Sequence, residues 1–124
     1  MAELIMMPRF NDSRGSLNVI EVSKTLDFDV KRIYYIYNVP DDAERGGHRH
    51  KITIQALICT SGNCRIYVDN GFEKKEYYLD NPDKCLIVKP EDWHTMHSFS
   101  RDALLLVLAS EHYDKNDYID EKYL

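Results

Sequence analysis

From Leu17 to Ala109 the chain is a succession of short β-type runs, each closed by a turn signal. No stretch sustains the 3.6-residue apolar period of a long helix. Leu17–Val22 follows the turn at Asp12–Gly15. Val30–Val39, VKRIYYIYNV, is stopped by Pro40-Asp41-Asp42. Ile52–Thr60 ends at Ser61-Gly62-Asn63. Cys64–Val68 and Lys74–Leu79 read as a hairpin around Asp69-Asn70-Gly71, because Asn-Gly tolerates the positive φ angles of a type I′ turn. Cys85–Val88 is closed by Pro90, and Ala103–Ala109, ALLLVLA, has the unbroken apolar character of a buried central strand. This cadence predicts an all-β sandwich or barrel. Its expected core is Ile33, Ile54, Leu57, Ile66, Val68, Leu86, Val88, Leu105 and Val107. The tail from Glu111 is polar and Tyr-rich, a short helix or an arm over the barrel, and its acidic stretch Asp114–Asp120 reads as solvated.

A chain of 124 residues makes one domain, residues 1–124, large enough to bury a barrel core. The net charge of −5 argues against nucleic acid or an anionic membrane surface as the main partner. No segment approaches the ~20 apolar residues of a membrane span. The opening MAELIMMPRF is too short and acidic for a signal peptide. Cys59, Cys64 and Cys85 form neither a CxxC pair nor a zinc spacing, so they are expected as reduced thiols in a cytoplasmic protein.

The segment most suggestive of chemistry is Arg45–Gly62, RGGHRHKITIQALICTSG. His48 and His50 stand two positions apart, so on a strand both rings point to one face. Gln55 and Gly62 follow at the spacing of a cupin signature: His-x-His, four residues, a carboxylate or amide, six residues, Gly. The resemblance continues in Lys89-Pro90-Glu91-Asp92-Trp93-His94, a Pro turn leading to another His, one residue short of the usual spacing. His97 lies three residues further on. The fold so implied is a single cupin (jelly-roll) β-barrel with converging imidazoles, which titrate near neutral pH.

A more specific resemblance covers nearly the whole chain. DSRGSL (Asp12–Leu17), KRIYYIYNVP (Lys31–Pro40), RGGHRHK (Arg45–Lys51), SGNCRIYVDNG (Ser61–Gly71), WHTMHSFS (Trp93–Ser100) and LLLVLASEHYDKNDYI (Leu104–Ile119) occur in one order. In this the chain resembles the dTDP-4-keto-6-deoxyglucose 3,4-ketoisomerases, small cupins of deoxysugar biosynthesis. The resemblance implies a cofactor-free, metal-independent homodimer that exchanges N-terminal strands. It implies transfer of a keto group from C4 to C3 of a dTDP-linked 6-deoxyhexose, before amination at C3 and use in a polysaccharide, glycan or antibiotic. The catalytic His falls on His48, a proton-transferring Tyr on Tyr34, and the second active-site His on His50. Arg14, Arg32 and Arg45 match positions near nucleotide and sugar, and Arg14 with His94 resembles the subgroup giving a galacto product rather than a gluco one. Arg49 replaces the usual small residue between the histidines, and Asp120 stands where an Arg is common.

Moving a ketone between neighbouring carbons needs acid and base groups but no redox cofactor. His48 suits the base, Tyr34 a proton relay, and His50 a donor to the enediolate. Arg65 joins Arg14, Arg32 and Arg45 as a candidate pyrophosphate contact, since guanidinium matches phosphate geometry. Trp93 is placed either against a base or at the barrel mouth. His97 is assigned to structural hydrogen bonding. Two other readings stay open. In a metal-dependent cupin the imidazoles would ligate zinc or iron, with Gln55 a weak ligand. In a binding module the nucleotide sugar would be held without turnover.

Overall fold

The structure, a computed structural model, describes residues 1–124. Twelve strands and one short turn of 3-10 helix make up the chain, with no α-helix. One five-stranded antiparallel sheet joins β1 (Glu3–Met6), β9 (Lys84–Val88), β6 (Gln55–Ser61), β11 (Leu104–Ala109) and β4 (Arg32–Tyr37) in that order. The facing sheet runs β12 (Tyr118–Ile119), β5 (Arg45–His50), β10 (Trp93–His97), β7 (Cys64–Asp69) and β8 (Lys74–Leu79). The two sheets are not closed into one continuous barrel; they form the double-layer version of the expected jelly roll. β2 (Arg9–Asp12) and β3 (Gly15–Asn18) form a separate hairpin that pairs only with itself.

Between the layers lies a core of 16 buried residues, including Leu57, Ile66, Val68, Leu86, Val88, Leu105 and Val107, all expected there. A smaller cluster of Met7, Leu26, Ala56, Ile58, Cys85 and Leu108 covers the back of the first sheet. That second layer explains the run ALLLVLA. Leu105 and Val107 point between the sheets while Leu108 packs behind, so both faces of β11 are apolar.

Two core expectations change. Ile33 is 61% exposed, because alternation from the buried Ile36 puts it on the outer face of β4 with Tyr35 and Tyr37. Ile54 is half-buried, since it precedes β6. The strand expected at Leu17–Val22 ends at Asn18 as the outer half of the β2–β3 hairpin. The N-terminal strand β1, which the resemblance expects to be exchanged, pairs here with β9 of its own chain. The element without a partner sheet is the next one, where Phe10 and Leu17 are each 60% exposed.

The tail also differs from a solvated arm. After the 3-10 turn at Lys115–Asp117 it adds β12 to the edge of β5. Trp93 donates from Nε1 to the carbonyl of Asp120 at 3.0 Å, and Tyr123 donates to the carbonyl of Glu91 at 2.7 Å. Asp117 is only 7% exposed.

Candidate active site

The site sits at one open end of the sandwich, where β4 of one sheet approaches β5 and β10 of the other. A cleft of about 230 Å³ is lined by Arg32, Tyr34 and Ile36 from β4, Arg45, Gly46 and His48 from β5, Met96 from β10, and Tyr118 from β12. Alternation makes this arrangement. Arg32, Tyr34 and Ile36 share the inner face of β4, as His48 and His50 share one face of β5. Gly46 has φ of +83°, and a Cβ there would stand 2.9 Å from the carbonyl oxygen of His94. Glycine therefore lets β5 close onto β10 beside the bulge at His94/Thr95.

The three imidazoles converge. His94 is opposite His48 in strand register, and their ring centroids are 5.3 Å apart. His48 and His50 are 5.1 Å apart at 84°. Tyr118 sets its ring 4.6 Å from each of them. Burial, reinforced by the His50 ring, pushes His48 down to about 4, against the opposing pull of Asp120, the Gly46 backbone and Asp117. Burial likewise holds His94 at about 4 and lowers His50. At neutral pH these rings carry no charge, which leaves a lone pair on each available as a base.

Hydrogen bonds fix two of the rings. The Nδ1 of His94 lies 3.0 Å from the carbonyl oxygen of Asp92, so it carries the proton. The Nδ1 of His50 lies 2.8 Å from the Asp117 carboxylate. Burial would raise that carboxyl. Hydrogen bonds from Thr53, the Ile52 N–H and His50 outweigh it and hold Asp117 below the usual carboxylate range. Nδ1 of His50 is accordingly the protonated nitrogen. The Nε2 atoms of His50 and His94 are buried without a partner.

Tyr34 brings a phenol to the cleft. Its oxygen accepts a hydrogen bond from Gln55 Nε2 at 2.7 Å, which leaves the phenolic proton free to point elsewhere. Burial, with Tyr118 nearby, drives Tyr34 up to about 12, although Arg32, Gln55 and Arg45 oppose the rise. It stays protonated at neutral pH. The guanidinium of Arg32 lies over the Tyr34 ring, 5.4 Å from its centroid.

Of the residues singled out in the sequence, Tyr34, His48, Arg32 and Arg45 line the cleft, and His50 and His94 lie directly behind His48. Arg14, Arg65, Trp93 and His97 do not come to it within the chain. Arg14 is at the tip of the β2–β3 hairpin, 88% exposed and paired with Asp12 at 2.6 Å. Arg65 alternates with the buried Ile66, so it faces outward and lies over the Tyr78 ring at 4.3 Å. Trp93 is on the outer face of β10, against Tyr67 and under Lys122, and neither stacks in the cleft nor closes its mouth. His97 is paired outside with Glu76 at 2.6 Å. Gln55, weighed as a weak metal ligand, serves Tyr34 instead. No group of three or more His, Cys, Asp or Glu is placed to hold a metal ion.

Two residues that shape the site were missed in the sequence, Tyr118, which lines the cleft, and Asp117, which pairs with His50. Both lie in the acidic tail, where charge suggested solvent. The only signal was an aromatic and an aliphatic residue, Tyr118-Ile119, breaking that polar run.

An open jelly roll whose inner face carries neutral imidazoles and a protonated phenol defines a cupin enzyme of the isomerase class. The chain belongs to the FdtA (WxcM-like, C-terminal) family of sugar-nucleotide 3,4-ketoisomerases, whose model matches residues 1–123. It is 44% identical over 117 residues to the TDP-4-oxo-6-deoxy-α-D-glucose-3,4-oxoisomerase of Aneurinibacillus thermoaerophilus, covering 94% of this chain and 84% of that one. Among solved structures it resembles the 3,4-ketoisomerase QdtA of Thermoanaerobacterium thermosaccharolyticum in two forms. A double mutant in complex with TDP is 42% identical at a TM-score of 0.94, with 97% of this chain and 87% of that chain covered. A His→Asn mutant in complex with TDP-4-keto-6-deoxyglucose is 39% identical at the same TM-score and coverage. No helix is long and apolar enough to cross a membrane.

Proposed function

We propose that the protein converts dTDP-4-keto-6-deoxyglucose to the 3-keto isomer without metal or cofactor, through an enediol. The observation that carries the reading is the pairing of opposite proton states in one cleft: His48 neutral, Tyr34 protonated. His48 takes the proton from C3. The C–H electron pair becomes the C3–C4 double bond, and the C4 carbonyl electrons move onto O4. The Tyr34 phenol and the cations Arg32 and Arg45 face the negative charge that develops there. Tyr34 gives its proton to O4 and recovers one from the hydroxyl on C3. A proton delivered by His48 to C4 then leaves the ketone at C3. The sequence reading made His50 a donor to the enediolate. Its Nδ1–H is committed to Asp117 and its Nε2 is buried, which favours Tyr34 for that task.

The two positions replaced in the QdtA double mutant, a Tyr made Arg and an Arg made His, stand 80 residues apart, as Arg14 and His94 do. The His of the other mutant follows the first of them by 34 residues, as His48 follows Arg14. This spacing supports His48 as the base. By the same spacing Arg14 and His94 stand where the double mutant carries its introduced Arg and His; the galacto-configured product rests on the resemblance of this Arg and His pair to the galacto subgroup. A homodimer exchanging its N-terminal hairpins would give the exposed β2–β3 arm a partner surface and carry Arg14 into the other subunit's cleft. We place the enzyme in the cytoplasm, where Cys59, Cys64 and Cys85 stay free thiols. Turnover of dTDP-4-keto-6-deoxyglucose by chelator-treated protein tests the metal-free reading. Activity that disappears with the chelator and returns with added zinc or iron contradicts it.

A further inference from the structure

Asp117 is one of the buried charged side chains that this chemistry leaves unused. A carboxylate in an acidic tail normally sits in water. This one is 7% exposed and is met from every side by donors. Its Oδ1 accepts from the Lys51 N–H at 3.1 Å and the Ile52 N–H at 2.9 Å. Its Oδ2 accepts from the Thr53 hydroxyl and from His50 Nδ1. The backbone agrees: the Lys51 N–H also donates to the Asp117 carbonyl at 2.9 Å, and β12 pairs Tyr118 with His50. Two backbone N–H groups and a hydroxyl would suffice to hold the tail. The fourth partner, the imidazole, is the one that reaches the site.

That contact has a chemical consequence. A carboxylate can only accept, so the proton of His50 must be on Nδ1 and its lone pair on Nε2. Nε2 is buried with no partner, in a ring 5.1 Å from that of His48 and 4.6 Å from that of Tyr118. A buried acceptor left without a partner costs stability, and a role in catalysis is one reason for a fold to keep it. His48 becomes cationic when it takes the C3 proton.

Resting on the assignment of His48 as the base, we infer that Asp117 is a positioning residue of the reaction. It locks His50 in the Nδ1–H form and places a fixed negative charge behind it, so that the imidazolium formed at His48 meets a lone pair and a carboxylate rather than a second N–H. Asp117 touches no substrate. It acts through His50, and the C-terminal strand that presents Tyr118 to the cleft brings it there.

The test joins a spectroscopic and a kinetic reading on the full-length protein. In ¹⁵N-histidine-labelled wild type at pH 7.5, His50 is expected to show a protonated Nδ1 and an unprotonated Nε2. Asp117→Asn, whose amide can donate as well as accept, is expected to mix the two forms. It should lower kcat roughly 100-fold, with KM for dTDP-4-keto-6-deoxyglucose and affinity for dTDP within twofold of wild type. Thr53→Val removes one Asp117 contact but keeps the dyad, and is expected to retain kcat within about threefold. Wild-type kcat in a folded Asp117→Asn protein, or an Nε2-protonated His50 in wild type, overturns the inference. Should Asp117→Asn not fold, the wild-type tautomer alone still decides. If wild type binds dTDP but does not turn over the sugar while His50 keeps its Nδ1 proton, it is the isomerase reading that fails, and with it any catalytic role for the dyad.

Discussion

Gln55 donates from its amide nitrogen to the phenolic oxygen of Tyr34 at 2.7 Å, joining the middle of one sheet to its edge strand at the mouth of the cleft. The bond decides what Tyr34 can do. With its oxygen occupied by a donor, the phenol turns its proton toward the cleft, and its elevated pKa keeps that proton in place at neutral pH. Tyr34→Phe is therefore expected to lower kcat by about 100-fold or more, while dTDP affinity changes little. A calorimetric titration with dTDP beside steady-state kinetics checks both halves. Parallel loss of binding would make Tyr34 a substrate-positioning residue instead.

His48 and His94 titrate at about 4 in the folded protein, below the ordinary 6.5 of histidine. The unfolded chain therefore binds more protons between those values, and protonation favours unfolding there. Their contribution to stability is intact above pH 6.5, drains as the pH falls toward 4, and changes no further below it. Urea midpoints across that range should fall with pH, and His94→Gln should flatten the slope. A midpoint as high at pH 4.5 as at pH 7.5 would show that these rings are not held neutral by burial.

Gly62 has φ of +68°, and a Cβ on it would run into Ser100 Oγ, Asp102 Oδ1 and the Cα of Ala103. The loop that joins the two sheets through β6 and β7 thus has both a backbone and a steric reason for glycine. Gly62→Ala is expected to cost more than about 2 kcal/mol, read as a lower urea midpoint with an unchanged m-value. A loss under half of that would mean the neighbouring loop yields without strain.

Arg14 is expected to serve the cleft of the other subunit, and subunit mixing reads this directly. Arg14→Ala and His48→Asn should each be impaired alone. Mixed dimers would then hold one cleft with both native residues, recovering about a quarter of wild-type activity on random exchange. No recovery after verified exchange, or a solution mass equal to a single chain, contradicts the arrangement.

The fold was readable because its cues are local. Asn70-Gly71 and Ser61-Gly62 punctuate runs whose period of two states which side faces inward, and the histidine pair on β5 follows from the same alternation. Ile33 misled because VKRIYYIYNV is apolar on both faces, and only the sheet edge decides which face water sees. Trp93 and Arg65 were drawn toward the ligand by residue type, whereas their strand neighbours His94 and Ile66 take the inner face. Asp117 was out of reach for a different reason. Its partners Lys51, Ile52, Thr53 and His50 lie more than 60 residues earlier, and no local pattern announces that an acidic tail will return to cap the strand carrying the histidine pair.

The central claim is that His48 moves a proton between neighbouring sugar carbons. It is tested most directly by proton NMR of dTDP-4-keto-6-deoxyglucose in deuterated water, with wild type and His48→Asn side by side. The account predicts a 3-keto sugar carrying ring deuterium with wild type, C4 couplings of a galacto configuration, and no change with the mutant. An unaltered substrate in the presence of wild-type protein that binds dTDP saturably would contradict it and leave a nucleotide-sugar binding module.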